Sequence, residues 1–247
     1  MSIYLFPKNF CHKIDALLRT FWWGANDNGN CLNLKSWDVL CSPKSVGGMG
    51  FRRLFDLNFA LMAKLAWNIC IDDDAIWISI LKAKYMRGIN FLADNLHHSD
   101  SSWIWLDLIK CRDLIVGGAL YQVSSNSDIL IWKDPWIPSI KNFHPDINSC
   151  SNTLSLSLVN NLIDNRSNNW DLNILKATFP SDIVKEICKI QISFDVRPKH
   201  LIWSPSKSGI FSSKSAYIFS QSNRFYPVNP PARFKWSLIW SSRLHNS

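Results

Sequence analysis

Hydrophobic period changes along this chain, and the change near residue 117 constrains the fold more than any other feature. From Phe10 to Trp22 the apolar residues Phe10, Ile14, Leu17, Leu18 and Phe21 fall at the spacing of one helix face, with Pro7 suited to a first-turn position. Leu54, Leu57, Leu61, Leu65 and Ile69 repeat that spacing, Ile76, Trp77, Ile80 and Leu81 continue it, and residues 103–116 predict a further helix. Beyond them the pattern shortens. β-prone runs at 119–123 and 128–132 around Ser-Ser-Asn-Ser predict one hairpin, and runs at 200–204 and 209–212 around Pro-Ser-Lys-Ser predict a second. Between the hairpins lie an Asn/Ser-rich stretch, 148–169, and two short helical patterns, 172–179 and 181–190. Residues 213–220 predict a last helix capped by Ser212 or Ser213. The expected class is therefore α+β, mainly α: a helical half over residues 1–110, a small α+β region with two β-hairpins over 111–220, and a separate C-terminal segment over 221–247.

A chain of 247 residues with 47% hydrophobic content can bury a core, and thirteen Trp and fourteen Phe supply much of its mass. The formal charge of +8 favours anionic partners. Its distribution says more. Lys and Arg outnumber Asp and Glu by 8 to 4 over residues 1–70 and by 12 to 5 over 151–247, while the middle is slightly acidic at 7 to 10. A polyanion is therefore expected at the two ends. Seven widely separated cysteines with no C-x-x-C pair suggest free thiols in a reducing compartment. Pro7 and Lys8 interrupt the block that a signal peptide needs, and no apolar run reaches membrane-spanning length. The expectation is a soluble intracellular protein of cytoplasm or nucleus, with no membrane partner.

Three chemistries are weighed and set aside. Asp72, Asp73 and Asp74 in succession invite a metal site, but consecutive side chains diverge, and Asp before a helix is expected to cap it. The six His show no zinc spacing, and His97 and His98 read as a solvated loop. Gly47, Gly48 and Gly50 after Pro43-Lys44 lack the G-x-x-x-x-G-K-[ST] order of a phosphate loop and read as a tight turn packed against a Trp. No G-x-S-x-G nucleophile elbow occurs either. No cofactor, metal site or small-molecule substrate is implied.

Taken in order, the segments resemble the region that follows the palm in plant LINE-type (non-LTR) retrotransposon reverse transcriptases. Phe21-Trp22-Trp23-Gly24 is similar to the end of a family helix. Trp37, Leu40, Cys41, Pro43, Lys44, Gly47, Gly48, Met49, Gly50, Phe51 and Arg52 match the motif after it. The match runs on through Asn58, Ala60, Leu61, Ala63, Lys64 and Trp67, then Leu81-Lys82-Ala83-Lys84-Tyr85, and Ser102, Trp103 and Trp105. Trp132, Asp134, Pro135 and Trp136 resemble the family's Trp-x-Asp-Pro-Trp box. Leu201-Ile202-Trp203, Gly209 and the run from Phe211 to Tyr217 resemble the segment before its zinc-binding domain. Two departures stand out. Ser124, Ser125 and Asn126 occupy a turn usually built from Gly-Asn-Gly, and Lys199 or His200 occupies a position that is often acidic. Each is expected to strain a turn or to remove a contact.

The resemblance implies an internal, non-catalytic fragment of an RNA-directed DNA polymerase, with residues 1–110 resembling a thumb-like region. Polymerase chemistry needs a Tyr/Phe-x-Asp-Asp strand holding two metal ions, and that segment does not occur here. Trp236, Ile239 and Trp240 resemble the first residues of the zinc-binding domain, without its Cys and His ligands, and RNase H carboxylates are likewise not found. No residue is assigned a catalytic role, and the chain is not expected to be an enzyme. In an intact element this region grips template and primer. The candidate nucleic-acid-binding residues are Lys44, Arg52, Arg53, Lys64, Lys82 and Lys84, with RNA or an RNA–DNA hybrid as partner, because cations near phosphates release counterions. The same residues also serve as ordinary solvated charge. Trp22, Trp23, Trp103 and Trp105 can stack on bases but are expected in the core. The alternative is a retained stand-alone nucleic-acid-binding or protein-interaction module.

Overall fold

The computed structural model describes residues 3–24, 33–92, 101–140, 143–146, 157–164, 168–193 and 199–225. Their elements, in chain order, are α1 (Lys8–Trp23), α2 (Trp37–Cys41), α3 (Leu54–Cys70), α4 (Ile76–Tyr85), α5 (Trp103–Val116), β1 (Ala119–Gln122), β2 (Ile163–Asp164), β3 (Asn169–Trp170), α6 (Leu172–Thr178), α7 (Ser181–Ile187), β4 (His200–Trp203) and α8 (Ser213–Phe225). The class is α+β and mainly α, with two small antiparallel two-stranded sheets among the described residues. Contacts divide the chain into two compact units. One takes the residues up to Lys64 with those from Ser212 onward, and the other runs from Leu65 to Phe211. Position 110 falls inside α5 and position 220 inside α8.

In the first unit, α1 presents Cys11 and Asp15 to the interior. The Asp15 carboxylate accepts a hydrogen bond from the Leu54 N–H at 3.2 Å, which satisfies an orphan donor at the start of α3. Asn58, fully buried on α3, accepts from Phe6 N–H at 2.7 Å and donates to the Tyr4 carbonyl at 3.0 Å. The N-terminal strand of chain is thereby tied to α3. Phe10, Leu17, Leu18 and Phe21, which share the spacing of one helix face, are exposed, Phe21 at 86%. A helix seats the side that its neighbours can bond, and here that side carries Asp15.

The second unit holds a dry core. Trp105, Trp136, Trp203, Phe91, Ile69, Ile78 and Leu108 are among its fully buried side chains. Tyr85 stacks on Trp105 at 4.7 Å between ring centres, and its hydroxyl accepts from the Ser102 N–H. Ser102 Oγ in turn accepts from Trp105 N–H and caps α5. The cap expected from Asp72, Asp73 and Asp74 is not formed. Ala75 stands at the N-cap of α4 without a side-chain bond, and Asp72, with φ of 56°, pairs with Lys82.

The two predicted hairpins are replaced by a longer-range pairing. β1 pairs antiparallel with β4, in the register Ala119↔Trp203 to Gln122↔His200. Gly118 makes the close approach possible, since a Cβ there would lie 2.4 Å from Trp203 Cζ3. Residues 128–132 pair elsewhere: Leu130 bridges Leu158, and Val159 N–H donates to Ile129 O at 2.9 Å. Beyond β4, Gly209 returns its carbonyl to Trp203 N–H at 2.7 Å without starting a second strand. The second sheet, Ile163↔Trp170 and Asp164↔Asn169, arises in the Asn/Ser-rich stretch, where only a connection was expected.

Neither departure from the resembled family strains the chain. Ser127 donates to the Ser124 carbonyl through both N–H (3.1 Å) and Oγ–H (2.7 Å), and no residue from 124 to 126 takes positive φ. Lys199 adds a contact. Its Nζ lies 2.9 Å from Asp134, a buried carboxylate that also accepts from Leu130 N–H at 2.8 Å. The last helix is capped as expected, with Ser212 Oγ accepting from Ser215 N–H at 3.1 Å. His97, His98, Trp236, Ile239 and Trp240 lie outside the described residues.

Candidate nucleic-acid interface

Pro43 to Arg53, in the first unit, form a glycine turn that folds back on the end of α2. Pro43 leads into a 3-10 turn, Lys44–Val46, closed by Gly47 in the left-handed region. Met49 N–H and Phe51 N–H both reach the Leu40 carbonyl, at 3.0 and 3.3 Å, and Gly50 N–H reaches Ser42 O at 2.9 Å. The carbonyls that a helix end leaves open are thus satisfied by the turn itself. Gly48 is required by space, because a Cβ would stand 1.9 Å from Ser42 O. Phe51 then packs on two indoles, stacked on Trp37 at 5.7 Å and edge-on to Trp22 at 4.7 Å. The expected turn against a Trp is present.

This packing sends successive arginines to different environments. Arg52 is exposed, with its guanidinium 5.8 Å from the centre of the Tyr217 ring on α8. Arg53 turns inward and pairs with Asp38. Lys44 is exposed, and its stem passes within 4.0 Å of the Gly50 position. Arg52 shares the wall of a cavity of about 240 Å³ with Lys214 of α8, and Cys41, Phe51, Tyr217 and Ile218 contribute its apolar and aromatic surface. Burial pushes the Cys41 thiol up to about 11 despite the neighbouring Arg53 guanidinium, and burial, followed by Asp56, raises the Tyr217 phenol.

The six cations singled out from the sequence do not form one cluster. Lys44, Arg52, Arg53 and Lys64 belong to the first unit, and Lys82 and Lys84 to the second. Lys64 is exposed on α3. Lys82 is engaged by Asp72, while Lys84 is exposed with its ammonium 5.0 Å from the Tyr85 ring. Of the four indoles weighed for stacking, Trp105 is core and Trp23 half-buried, whereas Trp22 at 44% and Trp103 at 87% exposure depart from the core placement expected for them. Lys214 was missed because its proximity to Arg52 spans more than 160 positions of chain. Its only sequence signal is the basic count of the C-terminal stretch. Among the described residues no three His, Cys, Asp or Glu are placed to hold a metal ion, and no described helix is long and apolar enough to cross a membrane.

Comparison with known proteins gives two plant relatives. The chain is 26% identical over 229 residues to a putative ribonuclease H protein of Arabidopsis thaliana, a match covering 88% of this chain and 35% of that protein. It is 28% identical over 138 residues to an uncharacterized mitochondrial protein of Arabidopsis thaliana, covering 56% of this chain and 89% of that one. The chain thus spans about a third of the first relative's length. No family model matches it, and no solved structure matches it.

Proposed function

We propose that this chain is a non-catalytic region of a retrotransposon-derived RNA-directed DNA polymerase, and that it contributes grip on the phosphate backbone of RNA or an RNA–DNA hybrid. The ordered motif series supports the retroelement origin, as does a plant relative that carries the name of a putative ribonuclease H protein. The observation that carries the binding role is Arg52 and Lys214 on the wall of one cavity, beside the rings of Phe51 and Tyr217. Cations set among aromatic faces suit a nucleic-acid strand, because phosphates are neutralised while bases stack. Lys44 and Lys64 extend the basic character of the same unit.

The test is binding to a labelled RNA–DNA duplex across a salt series. A steep fall of affinity with salt, exceeding that of an unrelated protein of equal charge, supports the reading; no binding at low salt sinks it. Primer extension and nuclease assays on the same preparation are expected to be blank.

A second reading, a protein-interaction module, is favoured by the exposed apolar stripe Phe10, Leu17, Leu18 and Phe21 on α1. Sedimentation in which Phe21→Ser lowers association with a second copy supports it. A wild-type monomer at all concentrations that still binds the duplex removes it.

A further inference from the structure

The exposed apolar residues of α1 keep the spacing of a coiled-coil seam. Phe10, Ile14, Leu17 and Phe21 follow one another at intervals of four, three and four positions, the alternation that lays a 3.5-residue repeat along one line of a helix. At about 100° per residue the four fall within roughly 60° of one another, while the buried Cys11 and Asp15 turn away from their centre by about 90° or more. Phe21 and Leu17 are 86% and 65% exposed, Phe10 is exposed and Ile14 half-buried. The ridge runs on past the helix start, where Phe10 meets Phe6 edge-on at 5.3 Å and Phe6 meets the exposed Tyr4 at 5.2 Å. Single apolar residues on a surface need no covering, but an ordered seam about three turns long does.

The order of side chains says what fits. Read from either end the seam runs aromatic, aliphatic, aliphatic, aromatic, so a second copy laid antiparallel sets Phe10 on Phe21 and Ile14 on Leu17, each pair occurring twice about a two-fold axis. No charged residue interrupts it. The charge of the helix favours the same direction. α1 has no acidic residue in its first turn and no basic residue in its last, so neither pole of its dipole is compensated there. Lys8 and the exposed Lys13 make its N-terminal half basic. An antiparallel neighbour brings that half toward the negative pole of the other helix, whereas a parallel one sets like poles and lysines side by side. We propose that α1 is a dimerisation helix, packing antiparallel on α1 of a second copy through Phe10, Ile14, Leu17 and Phe21. This rests on the protein-interaction reading of the helix and adds to it the partner, the direction and the register.

Sedimentation of the full chain should show a monomer–dimer equilibrium. Leu17→Asp should raise its dissociation constant about a hundredfold or more, because two symmetry-related carboxylates would have to leave water. Circular dichroism of that variant should match the wild type, since Leu17 is exposed in the monomer. Direction is read by cross-linking. Phe10→Cys and Phe21→Cys chains, mixed and treated with a short bismaleimide, should link position 10 of one copy to position 21 of the other, with wild-type chain treated alike to account for the native thiols. Both substitutions leave the Ile14 and Leu17 layers in place. In a parallel dimer positions 10 and 21 stand about 16 Å apart along the axis, beyond a linker chosen shorter than that, and each variant links to itself instead. Links of 10 to 10 or 21 to 21 in an intact dimer overturn the antiparallel seam while the protein-interaction reading stands. A wild-type monomer at all concentrations overturns both, and a folded Leu17→Asp that dimerises like the wild type overturns the seam.

Discussion

The two units handle aromatic and charged residues in opposite ways. In the unit from Leu65 to Phe211, Trp105, Trp136 and Trp203 are fully buried, and the Lys199 ammonium is committed to Asp134. In the other, Met62 is the one member of the largest fully buried side chains among the described residues, Phe21 and Leu17 are exposed, and so are Arg52 and Lys64. One unit thus holds a core of buried indoles, and the other, the more basic of the two, a polar, ring-lined surface. What differs is the placement of rings and charges, since both units keep buried polar atoms without a hydrogen-bond partner, Trp105 Nε1 and Ser124 Oγ in the second and Arg19 Nε and Trp37 Nε1 in the first.

The largest effect expected from breaking this contrast is in the dry core. Trp203→Ala removes the ring that meets Gly118, Trp67 and Phe211, and should cost about 3–5 kcal/mol in denaturant unfolding. A loss under 1 kcal/mol would mean that this core is not the stabilising one. Gly48→Ala should come next, at about 1–3 kcal/mol, because the added methyl meets the Ser42 carbonyl and the turn must open. The same change should weaken duplex binding if Arg52 is positioned by that turn.

Lys199→Met should cost roughly 2 kcal/mol, since Asp134 then keeps only the Leu130 N–H. The double variant Lys199→Met with Asp134→Asn is expected to recover much of that loss, and a double-mutant cycle measures the coupling. Alkaline pH gives a smaller and more gradual effect. Burial raises Cys41 to about 11 and Cys70 and Cys111 to about 12, so the folded chain holds protons that the unfolded chain releases. Their contribution is full below the ordinary thiol value of 9.0 and is lost as pH rises toward those values, so stability should fall across that window. An unchanged unfolding midpoint from pH 8 to 11 would contradict this. Smallest in stability is Arg52→Gln, expected within about 0.5 kcal/mol of wild type. It should nonetheless lower the salt slope of duplex binding by about one unit.

Much of the fold is legible in local pattern. The helical spacing of Leu54 to Ile69 and the Ser212 cap depend on neighbours a few positions away, and both appear as expected. The hairpins failed because alternation marks a strand without naming its partner. β1 and β4 lie about 80 positions apart and pair because Gly118 admits the Trp203 ring. The candidate interface was half legible: Arg52 stands beside a glycine turn that is readable from sequence, whereas Lys214 reaches it only through the placement of α8. Lys199 was read as a lost contact and is a gained one, because its partner Asp134 is 65 residues away.

By itself, the sequence determined the mainly helical class, the glycine turn, the basic ends and the ordered motifs that point to a retroelement, since each depends on composition or short spacing. Tertiary structure alone decided which face of α1 is buried, which strands pair, and that Arg19, Trp37 and Arg53 surround one cavity. The physical reason is common to all three. Burial and hydrogen-bond satisfaction are settled between groups distant in sequence, and local periodicity carries no information about which of them will meet.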